Sequence, residues 1–339
     1  MSFDHHSVVA STGAFRAAGI GLYDADPPHG VICRDGANQE ANGVLLESAA
    51  ARAWNAAPQP SLEQWRIFVV NALNDLASHG FEEVHDMLSP NWLGPMLSEL
   101  DARGGLPLTA WLYAPLSDLE QQCSAGWSCD RVCLAGGKVF ADGTLNSRTA
   151  WMLEPFADPM PDHPCGTALM DTSSLARAMR QCNDARVGLA IHAIGDGAVR
   201  ASLDAAQATG SGGFIGPGLI PRVRIEHCEV IDRTDIARFA SLGVVASVQP
   251  CHLLPDAPVL RRQLPHRLDR VLPLRELIDS GCRPGELLWF GSDVPIVRPH
   301  PCDSFDAAIL RRAEGAPPSE AIGIDQAIRI EECVAAFGG

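Results

Sequence analysis

Lysine is almost missing from this chain. Lys and Arg together number 26 in 339 residues, and a single one of them, Lys138, is lysine. Arginine has been used wherever a plain positive charge suffices. A guanidinium stays charged, so a retained lysine points to an amine that loses its proton and reacts, or adds carbon dioxide to become a metal-binding carbamate. The plainer alternative is a remnant of biased composition. Long apolar runs are missing too. None reaches the roughly 18 residues that a membrane-spanning helix needs. The start, Met1-Ser2-Phe3-Asp4-His5-His6, lacks the basic and apolar regions of a signal peptide. These absences predict a cytoplasmic protein with no membrane partner. No Cys-x-x-Cys occurs among 11 cysteines, and the closest pair is Cys129 and Cys133. That argues against a structural zinc knuckle and for reduced, mostly buried thiols. A net charge of −15 argues against nucleic acid as a partner.

What is present alternates. Residues 1–56 read as irregular, with turn clusters such as Asp26-Pro27-Pro28-His29-Gly30 and little periodicity. From 57 to 339 the pattern changes. Ser61-Leu62-Glu63-Gln64 resembles a capping box that opens a helix closed by Gly80. Strand-like segments follow at 81–85, 107–113, 137–141, 187–193, 222–227, 244–248 and 287–291. Helices are expected between them at 171–184, with Thr172 as N-cap, and near 196–206, 234–241 and 274–280, with a last one from about Asp303. After the strand at 244–248 a Pro- and Arg-rich loop is expected, with Arg261 and Arg262 on a solvated face. Strand-then-helix alternation predicts a parallel sheet with covering helices. A (β/α)8 barrel requires eight strands, so one is unaccounted for. A doubly wound open sheet would call for a Gly-rich phosphate loop after its first strand, and there is none.

Polar residues cluster at one level of this pattern. Lys138, His192, His227 and Asp293 each fall in or just past the C-terminal half of a predicted strand, inside apolar runs such as Gly188-Leu189-Ala190-Ile191-His192. In barrel enzymes that end carries the active site. One such histidine alone is more often a satisfied core residue; four titratable groups at equivalent positions argue for one site. Imidazole and carboxylate suit zinc or another divalent metal, with Asp293 as both ligand and proton acceptor from water. This favours hydrolysis of an amide-like C–N bond.

The segments Lys138-Val-Phe-Ala-Asp142-Gly, Ile191-His192-Ala-Ile-Gly195-Asp196, Arg224-Ile-Glu226-His227, Gln249-Pro250-Cys-His252 and Gly291-Ser292-Asp293-Val-Pro295 together resemble the amidohydrolase superfamily. The likeness is greatest to its amidohydrolase-3 group, which contains the N-substituted formamide deformylases. Phe81-Glu-Glu-Val-His85-Asp86 resembles that group's second barrel strand. Asp4-His5-His6-Ser7 and Gly43-Val-Leu-Leu-Glu47 resemble its segment between strands one and two. The resemblance implies a metal-dependent hydrolase on a (β/α)8 TIM-type barrel acting on non-peptide C–N bonds. It places metal ligands at Lys138, as an N6-carboxylated lysine, and at His192, His227 and Asp293, with substrate contacts at His252 and His85. Asp142 and Asp196 are expected to cap turns or helices.

The chain departs from that pattern in one respect. The family's His-x-His motif at the end of strand one is absent, because no His-x-His occurs here. The expectation is therefore a barrel of strands two to eight, truncated at both ends, without strand one or the family's β-sandwich. One metal ion fits the remaining ligands better than two, and activity is expected to be impaired. Exposed sheet edges would favour a homo-oligomer. Two rival readings are a non-catalytic remnant that binds a small molecule or a partner chain, and a metal-free lyase that uses Lys138 as a Schiff base.

Overall fold

A computed structural model describes residues 7–28, 30–35, 39–160, 162–215 and 220–338. The Asp4-His5-His6 segment lies outside the described residues. The chain divides into two units, residues 1–71 with 294–296, and residues 72–293 with 297–339.

The first unit is not irregular over its described part. Strands β1 (Ser7–Val9), β2 (Gly30–Arg34) and β3 (Ala41–Glu47) form an antiparallel sheet with β3 in the middle. Helices α1 (Thr12–Ala17) and α2 (Ser48–Asn55) accompany it, and Phe15, Ile32, Leu45 and Ala49 are packed together as its core. The pattern escaped sequence reading because the strands are short and α2 follows β3 with no intervening loop. Helix α3 (Leu62–Ser78) starts on the expected capping box: the Gln64 amide donates to the Ser61 hydroxyl at 3.3 Å, and the Ser61 amide donates to Gln64 Oε1 at 2.8 Å.

The second unit is built on one seven-stranded, all-parallel sheet. Its strands are β4 (Glu83–Asp86), β5 (Thr109–Pro115), β6 (Val132–Phe140), β7 (Gly188–Ala193), then, beyond the small hairpin β8 (Phe214–Ile215) and β9 (Ile220–Pro221), β10 (Val223–His227), β11 (Val245–Val248) and β12 (Leu288–Phe290). Apart from that hairpin they neighbour one another in chain order. The sheet curls. His85 of β4 and Trp289 of β12 belong to opposite edge strands, yet their ring centroids are 5.9 Å apart. The result is a TIM-like open barrel whose two edges face each other.

Helices cover the outside: α4 (Leu93–Ala102), α5 (Leu119–Ser124), α6 (Thr172–Asp184), α7 (Asp196–Thr209), α8 (Ile236–Leu242), α9 (Leu253–Gln263), α10 (Leu274–Asp279), α11 (Pro301–Leu310) and α12 (Ile330–Phe337). Alternation explains the two layers of packing. Leu189, Ile191, Val223, Ile225, Ala246 and Val248 point outward and form the main core with the helices. Their neighbours in sequence point into the barrel. The expected Thr172 cap is in fact Asp171, whose carboxylate accepts from the Ser174 amide at 2.8 Å. A carboxylate at this position also meets the positive end of the helix dipole. The expected loop after β11 is mostly helix α9, with Arg261 and Arg262 in its last turn. Pro255 falls in the first turn of α9, where a missing N–H costs nothing; Pro258 lies inside the helix. All eleven cysteines are free thiols; five are buried, and Cys123 and Cys302 are exposed. Among the described residues no helix is long and apolar enough to cross a membrane.

Candidate active site

The barrel interior is polar, and the sequence hinted at only part of it. Arg224 and Glu226 sit two residues apart on β10, so both face inward. Arg224 Nε donates to Glu226 Oε1 at 2.5 Å, Nη2 to Ser247 Oγ at 2.8 Å, and Nη1 to His85 Nδ1 at 2.9 Å. Its guanidinium lies 5.4 Å from the Tyr113 ring centroid and 5.1 Å from that of Trp289. His85 stacks near Trp111 and Tyr113. Burial and Arg224 hold its imidazole well below the usual histidine range. His85 thus packs into the barrel as a neutral acceptor. Asp86, beside it, is taken up by a turn, accepting from Leu88 N–H and Ser89 Oγ.

Above this layer, at the C-terminal ends of the strands, the expected residues come together. Lys138 is 5 % exposed, two residues before the end of β6. Burial pushes its amine down to about 8, against the pull of Glu226 and Asp293. His192 lies on β7 opposite Phe140 of β6 and Glu226 of β10. Its Nε2 donates to the Gly143 carbonyl at 3.0 Å, which makes Nδ1 the acceptor nitrogen of the ring. The His192 and His227 ring centroids are 4.5 Å apart.

His227 ends β10. A regular strand would send it outward with Val223 and Ile225, but its φ of 72° breaks the alternation. His227 Nδ1 is buried and has no hydrogen-bond partner among the described residues. Burial, His192 and Lys138 hold the ring well below its ordinary pKa. Asp293, three residues past β12, also has a left-handed backbone, φ 59°. Burial pushes its carboxyl up to about 7, with Lys138 opposing.

His252 joins this group more closely than expected of a residue that only contacts substrate. It follows β11 in a short 3-10 turn ahead of α9. Its Nε2 is buried without a hydrogen-bond partner, 3.7 Å from Asp293 Oδ2. One ligand atom each from His227, His252 and Asp293 lies within 4.8 Å of the others. Two unpartnered imidazole nitrogens and a carboxylate form a donor set that fits a divalent cation.

The floor around the group is tied down by Asp142. Its carboxylate accepts from the amides of Trp151, Ile194 and Gly195 at 2.9, 3.0 and 2.9 Å. That fastens the long Pro-rich loop after β6 to the end of β7. Gly195 makes the approach possible, since a Cβ there would lie 2.1 Å from the Trp151 carbonyl oxygen. Asp196 caps the same junction, accepting from Leu153 N–H at 2.7 Å and pairing with Arg267. Arg224, Glu226 and Ser247 were missed as site residues. Two charges alternating with Val and Ile on a strand buried on both faces were the available signal, because such charges need partners inside.

Parallel strands curled into an open barrel, with histidines, a lysine and an aspartate at their C-terminal ends, define an α/β-barrel protein with a metal-site donor set. The model of the Amidohydrolase family matches residues 1–339, and the chain belongs to that family, in its amidohydrolase-3 group. It is 28 % identical over 316 residues to YtcJ, a Bacillus subtilis (strain 168) protein assigned to the amidohydrolases, covering 91 % of this chain and 57 % of YtcJ. It is 27 % identical over 324 residues to LONG AFTER FAR-RED 3 of Arabidopsis thaliana, covering 91 % of this chain and 54 % of that protein. The chain thus spans little more than half the length of these relatives. Its fold is similar to that of a metal-dependent hydrolase from Pyrococcus horikoshii OT3, with a TM-score of 0.77 and 24 % identity over 98 % of this chain and 64 % of that one. A metal-dependent hydrolase from Pyrococcus furiosus has a TM-score of 0.73 at 22 % identity, over 98 % of this chain and 64 % of that one.

Proposed function

We propose that this chain is a metal-dependent hydrolase acting on non-peptide C–N bonds of small amide- or formamide-like substrates. The observation that carries the reading is the convergence of His227, His252 and Asp293, with two buried imidazole nitrogens left without partners. One divalent cation, zinc or a similar metal, would be held by His227, His252 and Asp293, with His192 beside His227. When bound, such an ion polarises a carbonyl oxygen and lowers the pKa of water.

The protein's own groups do the rest. The Gly143 carbonyl accepts from His192 Nε2 and so fixes the tautomer and orientation of that ring beside His227. Asp293 accepts a proton from water at its carboxylate and returns it to the leaving amine nitrogen, a role suited to a base poised near neutrality. Phe140 packs against His192, with ring centroids 5.1 Å apart, and the Asp142 ties keep the loop after β6 in place.

Lys138 enters this proposal as a carbamate. An amine held near 8 is partly neutral at pH 7, and the neutral form adds carbon dioxide. With 13C-bicarbonate, a carbamate carbon signal is expected from the native protein and none from Lys138→Arg. No signal from metal-loaded native protein rules the carbamate out.

Metal uptake supplies a pH test. Burial holds the His227 ring well below its ordinary pKa and pushes His252 down to about 4, so near pH 7 these two rings release no proton on binding a metal. Asp293 must release one below about 7. Zinc affinity of stripped protein is therefore expected to rise with pH across the range in which Asp293 loses its proton, below about 7. A flat titration from pH 5.5 to 7.5 would remove Asp293 from the ligand set. The activity itself is read as formate released from an N-alkylformamide. A fully zinc-loaded protein that releases none refutes the hydrolase reading.

A further inference from the structure

Away from the active site, two imidazoles meet on the surface of the second unit. His79 follows α3 and stands four residues ahead of β4; His300 directly precedes α11, ten residues past β12. They belong to the segments that lead into one edge strand and out of the other. Phe337 of α12 packs against Phe81, Phe290 and Phe305, with ring centroids 6.3, 5.8 and 5.5 Å away, and so joins the same two segments beneath them. The His79 and His300 ring centroids are 6.3 Å apart, with the ring planes at 81°. Both side chains are exposed, so an ion from solvent reaches them.

Each ring has one nitrogen engaged and one left over. His79 Nδ1 bonds to the Asp75 carbonyl at 2.8 Å. A carbonyl only accepts, so Nδ1 carries the proton and Nε2 the lone pair. His300 Nδ1 lies 4.0 Å from Asp303 Oδ1, and that carboxylate draws the ring proton to Nδ1 in the same way. Asp303 is itself held by Arg298, whose Nε and Nη2 donate to it at 2.6 and 2.7 Å. A carbonyl or carboxylate behind a histidine is the support that orients the ring's other nitrogen for a metal. Two imidazoles that share one ion through nitrogens about 2.1 Å from it have centroids roughly 5–6.5 Å apart, the longer value at a wider angle. The observed spacing lies in that range. We propose that His79 and His300 form a surface site for a divalent first-row transition metal of the kind imidazole suits, with water in the remaining positions. Among the described residues no third His, Cys, Asp or Glu ligand atom completes a group with this pair, which makes it a weaker site than the active-site group. An ion there joins the segment entering β4 to the one leaving β12. The site stands apart from the hydrolase reading and does not rest on it.

Calorimetric titration with nickel(II) tests the pair, without a gel-filtration step that would empty a two-ligand site. His227→Ala is the starting protein, so that the active-site group does not contribute. One equivalent of nickel is expected to bind, and its affinity to fall by about tenfold or more when either His79→Ala or His300→Ala is added. Both rings are exposed, so neither substitution threatens the fold. If His227→Ala does not fold, the same titrations are run on native protein already carrying one equivalent of zinc. No nickel binding, equal binding with and without the pair, or a loss on only one of the two substitutions overturns the site. Thermal unfolding supplies a second readout. With nickel at about a hundredfold excess over its Kd, the melting temperature is expected to rise by several degrees, and to stay level once either histidine is gone. A rise that survives both substitutions puts the ion elsewhere and overturns the assignment.

Discussion

Replacing His227 with alanine is expected to reduce zinc affinity by more than about a hundredfold and to abolish formate release with it. Residues that merely support a metal ligand typically cost 10–100-fold. His227 sits beside His192 on one side and in the group with His252 and Asp293 on the other. Removing it takes away the one ring common to both arrangements. His192→Ala and His252→Ala each break a single arrangement, so each should lose less zinc than His227→Ala. Elemental analysis after gel filtration measures the metal, and circular dichroism verifies the fold. A His227→Ala protein that keeps one equivalent of zinc would relocate the site altogether.

The second large effect concerns stability. Arg224→Ala is expected to destabilise the second unit by about 3–5 kcal/mol, the range for removing one partner of a buried ion pair. Glu226 would be left charged inside the barrel, with Ser247 Oγ and His85 Nδ1 deprived of their donor. Two aromatic faces, Tyr113 and Trp289, would lose the guanidinium between them. The double variant Arg224→Ala with Glu226→Gln should recover part of the loss, because the stranded charge is gone. Denaturant midpoints would show both effects. An unchanged midpoint in Arg224→Ala would mean that water already reaches this layer.

These two residues mark where the sequence was legible and where it was not. The seven strands could be read because each is a short apolar run bounded by turn residues, and Lys138, His192 and Asp293 stood out as polar groups at the same end of those runs. Arg224 and Glu226 could not be assigned, since alternation alone does not say which face of a strand meets the helices. That became clear only from the curl of the sheet, which brings His85 to Arg224. His252 was read as a substrate contact because its place beside Asp293 depends on a 3-10 turn running into α9, a helix hidden behind two prolines. The first unit was misread because strands as short as three residues carry too few alternations to register.

The backbone at the site has an evolutionary consequence. His227 and Asp293 both occupy left-handed conformations, and so does Cys228 at φ 45°. Such positions cost a non-glycine residue about 1–3 kcal/mol. The fold therefore carries a standing penalty at two of the side chains the proposed chemistry depends on. Glycine at either position would relieve it and yield a sturdier, inert protein. A gene copy no longer selected for catalysis would drift toward glycine or asparagine at 227 and 293 ahead of its core. Melting temperature and activity would then move in opposite directions along that lineage.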